Sequence, residues 1–223
     1  MNVSDAIRQR TSIRAFTPAA VPEALLRELL DVARHAPSGG NLQPWKVIAV
    51  AGDERRAVIE AVGAALRANP QGEVGERRVY PDPLWSPYRE RRYEVGEALY
   101  ATLGITREDK PARYRQFARN LEFFGAPVGL FFVIDTRMGH GQWAHLGMFM
   151  QTLALAAQER GLSTCMQEYW AQGRDTLKRH FALPEQEMIY CAMALGYADP
   201  DAPVNALRAS RVAVEAFAEF RGF

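Results

Sequence analysis

The chain has 223 residues, of which 48% are apolar and 24% charged, with a formal net charge of +1. That length can bury a sizeable core within one domain, and the near-neutral balance excludes a strongly basic nucleic-acid binder or an acidic, disordered segment. The longest apolar run, Leu146 to Ala157, is interrupted by Gln151 and is too short to span a bilayer, while Met1 to Asp5 shows no leader pattern, so a cytoplasmic protein is expected.

A short helix over about Asn2 to Gln9 leads into an Arg/Thr/Ser-rich stretch ending at Phe16. Pro22 suits the first turn of a helix reaching about His35, with Leu25, Leu26, Leu29, Leu30 and Ala33 on one face. The small-residue run Pro37-Ser38-Gly39-Gly40-Asn41 stops it, and Trp45 to Val50 reads as a buried strand. A helix over Glu54 to Ala68 follows. Residues 69–87 hold four prolines and two glycines (Gly72 and Gly75), the composition of a long loop, and loops of that length are usually functional. Helical regions are expected over Tyr88 to Leu103 and Pro111 to Glu122.

Val128 to Ile134 is a second buried strand, and the apolar helix from Trp143 to Glu159, closed by Gly161, reads as buried on all sides. A short strand over Thr164 to Gln167, a helix over Asp175 to Phe181 and a strand over Met188 to Gly196 complete the body. Val212, Phe217 and Phe220 suggest a last amphipathic helix in the tail. Helices and strands alternate too loosely for a simple parallel wind, so the expected fold is an α+β sandwich on a mixed sheet. Cys165 and Cys191 lie in apolar stretches without metal-ligand or disulfide spacing and read as core residues. His140 and His145 are spaced wrongly for a zinc pair on one helical face, and the four histidines read as structural, with no metal site.

Two distant segments carry a more specific signal. One is Arg8-Gln9-Arg10-Thr11-Ser12-Ile13-Arg14-Ala15-Phe16, followed by Pro37 to Trp45. The other is Leu195-Gly196-Tyr197-Ala198-Asp199, followed by Asn205 to Arg211, with Glu215 and Phe220. In that order they resemble the start and finish of the FMN-dependent nitroreductase family, and the likeness runs over nearly the whole chain. Tyr80 to Arg92 and Tyr100 to Gly129 are most similar to members acting on nitroaromatic acids. The resemblance implies a nitroreductase-like α+β sandwich with a mixed, mainly antiparallel sheet flanked by helices. It further implies a domain-interlocked homodimer whose two FMN sites are each built from both subunits. Residues 1–223 would form one FMN-binding domain with a lid or excursion at 69–122, its pocket lid carrying Tyr80, Trp85 and Tyr88.

Each part of FMN asks for different chemistry. A phosphate dianion wants guanidinium forks and hydroxyl donors, which Arg10, Thr11, Ser12 and Arg14 supply. The resemblance brings Arg211, with Arg208 beside it, to the same phosphate. Pro37, Ser38, Gly39 and Asn41 form a helix stop; in the family that turn also lies along the flavin ring, where small residues let the backbone approach. Cys165-Met166-Gln167-Glu168-Tyr169 matches the strand end that faces the ring's reactive edge. Gln167 is then a cofactor contact, and the backbone N–H of Glu168 or Tyr169 the donor to flavin N5. The family often has proline at the position of Met166 and glycine at that of Tyr169, so this tyrosine narrows the acceptor pocket or stacks on its occupant. Tyr88-Arg89-Glu90-Arg91-Arg92 resembles the segment that places a cation by flavin N1 and O2, where reduction develops negative charge, with Arg92 first and Arg89 second.

The implied activity is an NAD(P)H oxidoreductase, with NADH or NADPH as reductant, reducing nitroaromatic, nitrobenzoate-like or quinone acceptors by a ping-pong, two-electron route. Gly139-His140-Gly141 lacks the third glycine of a dinucleotide fingerprint, and the nicotinamide needs only the ring face that the acceptor later uses. Two alternatives stand beside it: reductive dehalogenation or enoate reduction on the same scaffold, and non-catalytic flavin binding.

Overall fold

The computed structural model describes residues 1–73 and 80–223. The strands are β1 (Lys46–Ala51), β2 (Val128–Asp135), β3 (Ser163–Gln167) and β4 (Glu187–Gly196), in the sheet order β1-β2-β4-β3. Every ladder is antiparallel. The mixed character comes from an isolated parallel bridge between Ser12 and Thr164, which lays the N-terminal Arg/Ser stretch beside β3.

The central strands β2 and β4 are apolar from Val128 to Ile134 and from Cys191 to Gly196 because both faces are covered there. Successive side chains point to opposite faces, so Leu130, Phe132 and Ile134 join one core with Met193 and Leu195, whereas Phe131 and Val133 join the other with Ala192 and Ala194. The first core is roofed by α2 (Glu23–Ala33) and α6 (His140–Glu159). The second includes Val58 and Val62 of α3 (Gly52–Ala68) and Leu177 of α7 (Arg174–His180). β1 differs from the expected buried strand. It is the sheet edge, and within Lys46–Ala51 only Val50 is fully covered.

The second core is built around aromatic rings. Trp170, wholly buried, stacks on Phe123 at 4.4 Å between centroids and meets Phe131 edge-on at 5.2 Å. Gly129 makes this possible, since a Cβ there would lie 2.4 Å from the Phe123 ring.

The first helix is α1 (Val3–Gln9), with Asn2 capping it through a 2.9 Å bond from the Asp5 N–H. Residues 88–118 form an excursion of two helices, α4 (Tyr88–Thr102) and α5 (Lys110–Ala118). No residue of α4 is buried within the chain. Arg113 clasps the two helices, pairing both nitrogens with Glu97 at 2.6 and 2.7 Å and stacking over Tyr100. The loop expected over 69–87 holds no helix or strand among its described residues; residues 74–79, with Gly75, lie outside them.

Two expectations need correction. Helix α6 is not buried on all sides of one chain: Ala144 and Met148 are exposed, and Thr152 and Leu155 are half-buried. Apolarity on that stripe reflects something other than the chain's own core. The tail carries no amphipathic helix, only 3-10 turns at Pro203–Ala206 and Val214–Ala216, and Phe217 and Phe220 are exposed. Without a packed face a short helix has little to sustain it. No helix among the described residues is long and apolar enough to cross a membrane.

Candidate active site

The two distant sequence segments meet. The Asn205 side chain accepts from the Arg14 and Ala15 N–H groups at 2.8 and 3.2 Å, and donates to the Ala15 and Asp199 carbonyls at 2.8 and 2.9 Å. One amide therefore rivets the N-terminal stretch to the tail. Ser210 then bonds Glu94 of α4 at 3.0 Å, closing a third wall.

Between those walls is a cavity of about 500 Å³ lined by Arg8, Arg10, Thr11, Ser12, Arg14, Arg208 and Arg211, with Ile7, Val95, Leu207 and Ala209. Among the described residues it holds five arginines and no carboxylate. A dianion with several oxygens suits such a lining, because each guanidinium offers a planar fork and the hydroxyls can donate between them. Arg208 and Arg211 also brace their own tail, donating to the carbonyls of Asn205 and Leu207, and of Ala209 and Ser210.

A second cavity, about 730 Å³, adjoins the first, and Arg14 lines both. Its floor is the end of β3 and the 3-10 turn that follows: Cys165, Met166, Gln167, Glu168 and Tyr169. Glu168 and Tyr169 open that turn, so their N–H groups have no carbonyl three residues back within it. Gln167, 2% exposed, is held by donating to the backbone and side-chain oxygens of Asn120 at 2.9 and 3.2 Å. Phe117 stands edge-on to Tyr169 at 5.2 Å, and with Leu84 and Leu99 gives the cavity its apolar, aromatic wall. Burial pushes the carboxyl of Glu168 and the phenol of Tyr169 above their ordinary ranges, with Arg174 opposing the shift at Glu168. Cys165 is pushed up too, by burial, which keeps it an unreactive thiol.

Of the predicted residues, Arg10, Thr11, Ser12, Arg14, Arg208 and Arg211 come together in the smaller cavity. Gln167, Glu168, Tyr169 and Arg92 come together in the larger. Arg89 lines neither and is paired with Glu90 at 2.6 Å. The turn at Pro37, Ser38, Gly39 and Asn41 also lines neither cavity within one chain. It sits against α6, with the Gly39 N–H 3.4 Å from His145 Nδ1. Its backbone is nonetheless specialised, since Gly40, Asn41 and Gln43 all have positive φ and Ser38 Oγ accepts from the Gln43 N–H at 3.0 Å. His140 stands edge-on to Trp143, and His180 pairs with Glu54 at 2.8 Å. Of the lid aromatics, Tyr80 lines the larger cavity, whereas Trp85 and Tyr88 meet each other edge-on outside its lining.

Residues that the sequence did not flag include Asn120, Phe117, Leu99 and Arg174. They come from α4, α5, α7 and the turn after α5, and no local pattern marks them. Asn205 lay within a recognised motif, but nothing in its neighbours indicates a four-bond rivet.

The profile described as the nitroreductase family matches residues 7–197. The chain is 39% identical over 220 residues to a 4-nitrobenzoate reductase of Pseudomonas putida, covering 97% of this chain and 94% of the relative. It is 36% identical over 218 residues to a nitrobenzene nitroreductase of Ectopseudomonas oleovorans, covering 98% and 96%. The crystal structure of the FMN and NADPH-dependent nitroreductase NfnB from Sphigopyxis sp. strain HMH superposes with a TM-score of 0.97 at 42% identity over 100% of both chains. That of the FMN-dependent NfnB from Mycobacterium smegmatis in complex with NADPH gives 0.91 at 30% identity, over 98% and 97%.

Proposed function

The chain belongs to the nitroreductase family, and on that premise we propose that it is an FMN-dependent oxidoreductase taking hydride from NADPH or NADH and reducing nitroaromatic compounds. The observation that carries this reading is a pair of cavities that share Arg14, one lined by five arginines and no carboxylate among the described residues, the other setting the Phe117–Tyr169 aromatic wall beside charged and polar groups. Their chemistry fits a phosphorylated ligand with a flat, partly apolar ring. It agrees with the 4-nitrobenzoate reductase, nitrobenzene nitroreductase and FMN-dependent NfnB enzymes that the chain resembles.

Arg10, Arg211, Thr11 and Ser12 would hold the phosphate, with Arg208 closing it. Arg14, on the shared wall, would lie between phosphate and ring. FMN supplies two-electron chemistry when bound, accepting hydride from the nicotinamide and delivering it to the acceptor. The N–H groups of Glu168 and Tyr169 would fix the ring's reactive edge, and the Asn120 clamp on Gln167 would keep that strand end in place. Tyr169 and Phe117 form the wall against which nicotinamide and acceptor lie in turn, as a ping-pong order requires. We read the whole chain as one flavin-binding unit with residues 69–122 as an excursion around its ring end.

An anaerobic titration tests the assignment. NADPH or NADH should bleach the flavin band of the purified protein, and a nitroaromatic acceptor should restore it with formation of the reduced product. A yellow band that neither nucleotide bleaches would mark a flavin-binding protein instead.

We also propose that the working form is a homodimer with sites shared between subunits. Three observations support this: the exposed apolar stripe of α6, the unpacked phenylalanines of the tail, and the Pro37–Asn41 turn standing away from its own chain's cavities. Thr152 on that stripe donates to the Met148 carbonyl at 2.8 Å, so it can enter a dry interface satisfied. Met148, 45% exposed in one chain, would be buried there. Met148→Glu should weaken association by about tenfold to a hundredfold, the cost of about 1–3 kcal/mol for a buried unsatisfied group. Sedimentation at graded concentrations would read this out, with flavin lost alongside. A flavin-loaded, active monomer of the parent protein would end the proposal.

A further inference from the structure

Among the described residues three cations line the larger cavity, and two are occupied by the chain itself. Arg174 donates to the carbonyls of Ile189 and Tyr190 at 3.0 and 3.4 Å. Arg14 donates to the Ser12 carbonyl at 3.3 Å and belongs equally to the basic cavity. Arg92 is different. Its guanidinium carbon lies 4.4 Å from the centroid of the Tyr80 ring, and it has no carboxylate within ion-pair distance among the described residues. Other charges of α4 are spoken for: Arg89 pairs with Glu90, Glu97 with Arg113, and Glu94 with Ser210. Arg91 lies over Tyr88 but outside the cavity lining.

A guanidinium lying on an aromatic face keeps its N–H donors around the rim of its plane, free for a partner. The fork they make matches a carboxylate in bidentate fashion. Three acids share the cavity lining, Glu73, Asp82 and Glu168, and none is ion-paired with Arg92 among the described residues; Glu73 is held by the Thr176 N–H and hydroxyl at 2.9 and 2.6 Å. Arg92 also shares one cavity with the Phe117–Tyr169 wall and the Glu168 edge. A flat ring against that wall can present one substituent to the edge and another to the guanidinium.

We propose that Arg92, positioned on Tyr80, binds the carboxylate of the acceptor, so that the preferred substrates are nitroaromatic acids of the nitrobenzoate type rather than neutral nitroarenes. This rests on the nitroreductase reading above. It also moves Arg92 from the flavin N1 and O2 end, where the sequence comparison suggested it, and leaves that charge to Arg14 on the shared wall.

The test uses the flavin-loaded dimeric enzyme and the matched acceptors 4-nitrobenzoate and nitrobenzene. The selectivity ratio, kcat/KM for the acid over kcat/KM for nitrobenzene, should fall about tenfold to a hundredfold in Arg92→Gln, mostly through KM for the acid. Arg92→Lys, which keeps the charge but not the fork, should recover part of it. Equal losses on both acceptors would overturn the proposal. So would a selective rise in KM for the reductant, which would place the nucleotide's phosphate on Arg92, or a shifted flavin midpoint, which would place N1 and O2 there. If the parent protein reduces neither acceptor while its flavin is bleached by nucleotide, the functional reading has failed and not merely the role of Arg92.

Discussion

Replacing Arg10 and Arg211 together by alanine should yield a folded protein that purifies without flavin. Each arginine offers a charge-assisted bond to the phosphate worth about 1.5–3 kcal/mol, or roughly tenfold to a hundredfold in affinity. Both contact one anion, so their losses will not add fully, and the double variant should bind FMN about a hundredfold to a thousandfold more weakly. They reach the cavity from opposite ends of the chain, 201 positions apart, yet line the same walls. Titrating apoprotein with FMN and following flavin fluorescence gives the constants directly, with far-UV circular dichroism as the check on folding. Parent-like affinity in the double variant would remove the phosphate assignment.

The second large effect is on stability. Trp170→Ala removes the largest wholly buried side chain, one that contacts both Phe123 and Phe131. Truncations of this kind cost about 3–5 kcal/mol through lost burial and the cavity left behind. For a chain of this size that lowers the melting temperature by roughly 6–20 °C. Trp170 lies in the same 3-10 turn as Glu168 and Tyr169, so flavin retention should suffer with it. Trp170→Phe should be milder, because the indole N–H has no hydrogen-bond partner among the described residues and its removal relieves an unsatisfied donor. A calorimetric melt of Trp170→Ala within about 2 °C of the parent would show that the turn does not depend on this ring.

How much of this was readable in advance follows from where each signal resides. The basic cavity was legible in two steps: residue type marked Arg10, Thr11, Ser12 and Arg14 as anion partners, and the resemblance of motifs at both ends of the chain brought Arg211 and Arg208 to them. Continuous apolar runs located β2 and β4 because both of their faces are covered. The same rule misplaced β1, whose Val47, Ile48 and Val50 do pack on the cores although the strand is the sheet edge. An apolar run reports contact with a core but not position in the sheet order. The tail failed for the opposite reason. Phe217 and Phe220 remain largely exposed within one chain, so a pattern that suggested an amphipathic helix had no face to pack. The larger cavity was half visible: its floor follows β3 in sequence, while its walls come from helices whose spacing to that strand no linear pattern encodes.

The five arginines of the smaller cavity have a consequence for the protein before any reaction occurs. Like charges held in one concavity without a carboxylate repel one another, and this repulsion is relieved only when an anion arrives or the chain opens. Anything that binds only the folded state stabilises it by mass action, by about 4.1 kcal/mol at a thousandfold excess over its dissociation constant. Against a total stability of about 5–15 kcal/mol, that is a large share. Flavin supply therefore acts on this protein as a folding partner as well as a cofactor. Where flavin is scarce, chains are lost to unfolding and proteolysis, and abundance falls along with activity.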